Sequence, residues 1–296
     1  MKGWLTIAVL LASSLSSSFG VTVYNANYGS GTITRWDTQD LNFNPSVFIS
    51  GLNNPVGVAQ DTTGNVYVTQ FGNNGSIRKY DSAGSFLFSV TNLGYLPYSV
   101  RFDTNNTLYV ADLQGSKIRR YDSSLQALSD WATTSGNPTS IQFTSQGFVL
   151  VANAGTGANA QKFSLDGTSQ QIIGSNPTLS EPHDAVTDSS GNIYVASRAT
   201  QTVVKYDSQG ALVDSSFISG FDPYSLLFED STLFVAAHNL GTVRRYDASS
   251  GQYLGDFSVG TSPTYMTVDP NSVPEPSSGA LLVAGITVFA VMRRRK

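Results

Sequence analysis

The feature that most restricts the fold of this chain is a pattern that comes round six times. A short polar or basic run ending in aromatic–Asp recurs as "ITRWD" from Ile33, "IRKYD" from Ile77, "IRRYD" from Ile118, "VVKYD" from Val203 and "VRRYD" from Val243. A degenerate copy, "AQKFSLDG", puts Phe163 in the aromatic place. The six aromatics are Trp36, Tyr80, Tyr121, Phe163, Tyr206 and Tyr246, spaced by 44, 41, 42, 43 and 40 residues. Prolines at 55, 97, 138, 182, 223 and 263 run in step, as do "NVYVTQ", "TLYVAD", "FVLVAN", "NIYVAS" and "TLFVAA". Between these runs stand "DTTGN", "DTNN", "TSQG" and "DSSGN", whose residues tolerate tight turns.

Each unit therefore reads as four short strands, and four strands per period of this length mark a propeller blade. A single blade cannot bury its faces alone, and it leaves two sheet edges open. The ring also has to close. The last unit stops after "PTYMTVD" (263–269), and the first begins at "VTVYNAN" (21–27) without that strand. Together they complete one blade. The expected fold is all-β: a six-bladed β-propeller of four-stranded blades over 21–269, closed by pairing of the N- and C-terminal strands, with an apolar helix after it.

The unit resembles the NHL repeat, most closely in "PVGVAQDTTGNVYVTQ" and "PHDAVTDSSGNIYVAS". The resemblance implies a six-bladed ring, and it leaves function open because such rings serve both as binding platforms and as enzymes.

Within such a ring the segments that join blades share one face with the loops after the second strand. The loops start at Asn27, Gln70, Asp112, Asn153, Ser197 and Ala237. The joining segment Gly174 to Pro182 is longer than its counterparts, and insertions in repeat proteins often lie on a working face. Both histidines map there: His183 follows Pro182, and His238 follows "VAA". With Asp184, Arg198, Asn239 and Asp112 they form the candidate binding set. Two imidazoles and a carboxylate suit a divalent ion such as zinc or calcium, with an open position for chemistry. Some NHL-like lyases hold a metal at the channel mouth through several His, but this sequence offers two. Tyr98, Tyr224, Tyr265 and Trp131 are candidates for stacking surface. The Asp-rich turns read as turns before calcium sites, and the recurring Tyr-Asp reads as structural. No "GxSxG" and no Cys occur, which removes a nucleophile elbow, thiolate chemistry and disulfides.

Two functions follow as expectations. One is a non-catalytic surface module for a protein or glycan partner. The alternative is a metal-dependent lyase or hydrolase at the channel mouth. Nucleic acid is not an expected partner: residues 21–272 carry 12 Lys/Arg against 20 Asp/Glu, a net of −8.

The two ends read as addresses. "MKGWLTIAVLLASSLSSSFG" has one cation, a short apolar run and small residues at 18 and 20, the pattern of a secretory leader (1–20) cut by signal peptidase; an uncleaved anchor is the other reading. At the far end, a linker (270–278) holds Pro274, Glu275 and Pro276. An apolar stretch without charge (279–292) follows, then Arg293, Arg294, Arg295 and Lys296. As a helix the stretch would be about 21 Å long against a hydrocarbon core of about 30 Å. The cations would stay cytoplasmic with the body outside. This order of parts resembles the PEP-CTERM sorting signal of Gram-negative bacteria. That implies an exosortase-type enzyme as partner, transient membrane attachment, and a final place at the cell surface or outside it. A plain tail anchor is the rival. Intact-mass measurement on protein from the native host separates the two: the recovered chain is expected to lack residues 293–296, and a chain that keeps 277–296 beside a working exosortase is a plain anchor.

Overall fold

The computed structural model describes residues 20–271 apart from positions 41, 73 and 156. The leader (1–20) lies outside these residues but for Gly20; the sorting tripeptide, the apolar segment (279–292) and the basic end (293–296) lie wholly outside.

The described chain forms six sheets arranged as the blades of a ring. Blade 1 combines the two ends. Its order from the axis outward is Pro263–Val268, Thr22–Asn27, Thr32–Asp37, Ser46–Ile49. Blades 2 to 6 start at the axis with Pro55–Gln60, Pro97–Phe102, Asn137–Pro138 with Gln142–Phe143, Pro182–Thr187 and Pro223–Glu229. The closing strand pairs antiparallel with the first, Val23 opposite Val268 and Asn27 opposite Pro263. Main-chain bonds Tyr28 N to Ser262 O (2.9 Å) and Asp269 N to Thr22 O (2.8 Å) extend the seam at both ends.

One detail departs from the repeat. The inner strand of blade 4 is split in two. Every other inner strand shifts register near its proline. In blade 4 side chains take over at the break: Ser140 Oγ accepts from Ala152 N at 3.2 Å, where a ladder carbonyl would otherwise serve.

The periodic residues each have one mechanical role. Six apolar clusters fill the six gaps between neighbouring blades, and each holds one repeat aromatic. Trp36 lies between blades 6 and 1, Tyr80 between 1 and 2, and Tyr121 between 2 and 3. Phe163, Tyr206 and Tyr246 occupy the next three gaps. A face that one sheet cannot bury is thus buried by its neighbour all the way round. The basic residues beside these aromatics lie over further rings: Lys162 Nζ is 4.1 Å from the Phe148 centroid, Arg245 Cζ 4.2 Å from that of Phe43, and Arg78 Cζ 4.7 Å from that of Phe86.

The Asp that follows clamps the turn to the outer strand. Asp81 Oδ1 accepts from Ala83 N (2.9 Å) and Ser85 N (2.8 Å), and Asp122 and Asp207 repeat the device. In the degenerate copy Asp166 fills this role, bonded to Ser164 Oγ and Thr168 N. The Asp of "DTTGN" and "DSSGN" likewise commit their oxygens to their own turns. Because these are hydrogen bonds to a carboxylate in a partly exposed turn, Asp81→Ala should cost about 1 kcal/mol. That corresponds to a melting point lower by roughly 2–4 °C for a domain of this size. Asp81→Asn, which keeps an acceptor oxygen, should lose less in the same thermal melt.

Candidate functional site

The joining segments and the loops after the second strand meet at one mouth of the ring, and they place two circles of side chains there. The inner circle is the residue after each proline: Val56, Tyr98, Thr139, His183, Tyr224 and Thr264. The outer circle follows the second strands: Tyr28, Phe71, Leu113, Arg198 and His238. Tyr28, Val56, Phe71, Tyr98, Tyr224, His238 and Thr264 line a cavity of about 270 Å³. Its rings meet at steep angles, Tyr28 edge to face with Phe71 at 6.4 Å and Phe71 tilted on Tyr98 at 5.4 Å.

His238 lines this cavity, whereas His183 is buried and is not among its lining residues. The Tyr224 ring lies between them, with both imidazole centroids 4.0 Å from its own. Two rings so near one centroid must take its opposite faces. Each imidazole is thus stacked on the phenol ring of Tyr224. Among the described residues no group of three or more His, Cys, Asp or Glu is gathered as a metal ion would require.

The remaining bonds fix this stack. His183 Nδ1 is 2.9 Å from the Tyr98 hydroxyl. His238 Nδ1 is 3.1 Å from the Pro263 carbonyl, which can only accept, so Nδ1 carries the hydrogen and Nε2 keeps its lone pair. His183 is 7% exposed. Burial first, then the charges of Arg198 and His238, push its pKa down to about 3. Burial also lowers His238, although the Pro263 carbonyl opposes the shift. Both imidazoles are therefore neutral at pH 7, serving as hydrogen-bonding and stacking groups.

Arg198 Cζ stands 5.5 Å from the Tyr224 ring centroid. Its guanidinium is held by Glu181 (2.9 Å) and approached by Asp222 (3.9 Å), and its main-chain N–H donates to the Glu181 carbonyl at 3.1 Å. The insertion 174–182 is thus built into the site, because its penultimate residue, Glu181, aims the arginine of the next loop.

Other expected site residues are committed elsewhere. Asp184 is buried in the bore, where it accepts from Ser225 Oγ, Leu226 N and Ala185 N, each at 2.9 Å. Asp112 is buried too; Arg119 grips one oxygen at 2.9 and 2.7 Å, and the N–H groups of Gln114 and Gly115 hold the other. Asn239 is exposed and accepts from Asp222 N at 3.3 Å. Tyr265 is fully buried and plugs the bore; its hydroxyl is 2.5 Å from the carbonyls of Thr139 and His183 on the far side. Trp131 packs on Phe163 between blades and bonds Leu165 O at 3.0 Å. Tyr28, Phe71, Glu181 and Asp222 do not stand out in the sequence as site residues. The first two directly follow the loop starts Asn27 and Gln70, so the repeat itself marks them.

Comparison with known proteins adds the address and the fold. Residues 272–296 match the PEP-CTERM protein-sorting motif. The motif marks an exported protein, processed at a membrane by an exosortase-type enzyme and sorted to the cell surface. No curated protein matches the chain. Among solved structures the ring is similar to a chain of a nidogen/laminin complex (TM-score 0.72, 17% identity, 84% of this chain and 98% of that one). It is also similar to virginiamycin B lyase from Staphylococcus aureus (TM-score 0.61, 11% identity, 81% and 84%). A protein of unknown function from Bacteroides caccae is a third (TM-score 0.63, 13% identity, 85% and 99%). At such identities the likeness establishes the propeller and nothing about ligand or reaction.

The depressed pKa of His183 has a consequence for stability. Between pH 6.5 and about 3 the unfolded chain binds a proton at His183 that the folded ring refuses, so stability falls as pH falls through that window and is complete above it. Thermal melts at pH 7 and pH 4.5 should show a smaller acid loss for His183→Gln than for the wild type. Equal losses would mean that His183 is protonated in the folded ring.

Proposed function

We propose that this exported propeller is a non-catalytic surface module that binds a glycan in the aromatic mouth. The observation that carries this reading is the cavity itself: about 270 Å³ walled by Tyr28, Phe71, Tyr98 and Tyr224. A sugar ring presents apolar C–H faces to aromatic walls, while its hydroxyls need a few fixed polar partners. His238 Nε2 supplies an acceptor, and the Arg198 guanidinium stands 5.5 Å from the Tyr224 ring centroid. The size suits one sugar unit of a longer chain.

The same reading takes the repeat as NHL-type and residues 1–20 as a leader removed by signal peptidase. It takes 270–278 as the linker bearing the tripeptide, 279–292 as an apolar helix held in the inner membrane of a Gram-negative-type cell before processing, and 293–296 as its cytoplasmic end. Surface display suits a ring whose tail carries the address. The enzymatic alternative, a metal-dependent lyase or hydrolase, would need both histidines on one ion, and the Tyr224 ring between them counts against it.

A glycan array probed with the purified chain tests the proposal. The wild type should retain at least one class of glycan, and Tyr28→Ala and Phe71→Ala should each weaken it about tenfold, the loss of roughly 1.4 kcal/mol of stacking. No retained glycan, or retention indifferent to both changes, sinks the reading. Stoichiometric zinc or calcium that disappears in His183→Ala would put the enzyme in its place.

A further inference from the structure

The opposite mouth of the ring breaks the repeat in a different way. Four residues after each proline the inner strands carry Ala59, Arg101, Gln142, Val186, Leu227 and Thr267. One cation stands in a circle that is otherwise neutral. Its side chain turns into the bore, where Arg101 Nη1 donates to Val100 O at 3.0 Å and Nη2 to Met266 O at 2.9 Å. The guanidinium lies 5.7 Å from the Tyr265 ring that plugs the channel. Arg101 lines a cavity of about 350 Å³ together with Gln142, Thr187, Phe143, Phe228 and Met266. It also lines an adjoining one of about 260 Å³ that reaches Pro270.

We infer that this second mouth is a binding site for a small carboxylate, held by the guanidinium of Arg101. A guanidinium has five N–H donors in a planar fork, and two bonds to carbonyls leave part of that fork facing the cavity. Among the described residues no carboxylate lies within 4.0 Å of it. Asp184 shares the bore and is the opposing charge that Arg101 feels there, but it makes no ion pair within 4.0 Å and accepts instead from Ser225, Leu226 and Ala185. Asp103, at the rim of the smaller compartment, commits its oxygens to Asn105 N, Thr107 N and the Tyr109 hydroxyl. Arg101 is the one charged residue lining the larger compartment. A carboxylate on a six-membered ring fits the rest of it: Gln142 and Thr187 for hydroxyls, Phe143 and Phe228 for the ring.

A carboxylate for this mouth has two candidate sources. One is a free uronic acid. The other is Glu275, the single acid beyond Asn271, four residues past the point where the described chain leaves this mouth. Four extended residues reach about 13 Å. The two are separated by titrating the full chain in detergent micelles with D-glucuronate, and with D-glucose as the same ring lacking the acid. The expected result is glucuronate binding at least tenfold tighter than glucose, and a loss of tenfold or more in Arg101→Gln. Binding that appears only in Glu275→Gln, and is lost again when Arg101→Gln is added, assigns the site to the chain's own carboxylate. The idea fails if glucose matches glucuronate, if Arg101→Gln binds as the wild type does, or if neither the wild type nor Glu275→Gln binds glucuronate. The sugar contrast needs no change at Arg101, so a poorly folded variant does not shield the proposal.

Discussion

Everything in this ring hangs on one pairing, that of Pro263–Val268 with Thr22–Asn27. Without it blade 1 would have no axial strand, and two sheet edges would stand open. The strand also carries inward what the other blades lean on. Thr264 Oγ1 bonds Ala26 O at 3.1 Å and Val56 O at 2.8 Å, tying blade 1 to blade 2. Tyr265 spans the bore to blades 4 and 5, and the Met266 carbonyl receives Arg101 from blade 3. A strand of six residues thus touches the structure on most sides of the axis.

Because Tyr265 closes the bore, the two mouths are separate environments. One is walled by aromatics and the neutral imidazole of His238; the other holds a cation over a larger, more polar hollow. Both differ from the rest of the ring at positions where the repeat is broken. His183 stands where other blades have Val56 or Thr139, and Arg101 where they have Ala59 or Val186. A ring with near-identical blades distinguishes its ends through such exceptions. The aromatic–Asp pairs, which nearly every blade shares, went instead into inter-blade packing and turn clamping.

The ring was legible in the sequence because each repeated residue acts locally or on its nearest neighbour, so the period of the text is the period of the structure. Closure was legible from a missing strand at one end and a surplus strand at the other. The mouth was legible as a place, because the repeat prolines and the loop starts pair at one end of the blades. What could not be read was the order in which the side chains of His183, Tyr224 and His238 stack. That Tyr224 enters between the imidazoles depends on the rotation between adjacent blades, which no spacing encodes. Asp112 and Asp184 read as members of the binding set, but their partners, Arg119 and Ser225, lie on other strands and take them out of solvent. Arg101 escaped notice because its environment is assembled from several blades, and its carbonyl partner lies 165 residues away.

The closing strand has a mechanical side. It runs along the ring axis and leaves at the mouth opposite the aromatic cup, and Asp269 N still bonds Thr22 O as it does so. A pull on the chain beyond Asn271 therefore acts along the strand and loads its ladder to Thr22–Asn27 in shear. The bonds share the force together, whereas a load across the ladder would open them one at a time. A tether at this end grips the ring through its strongest direction, and the cup at the other end points away from whatever holds the tail.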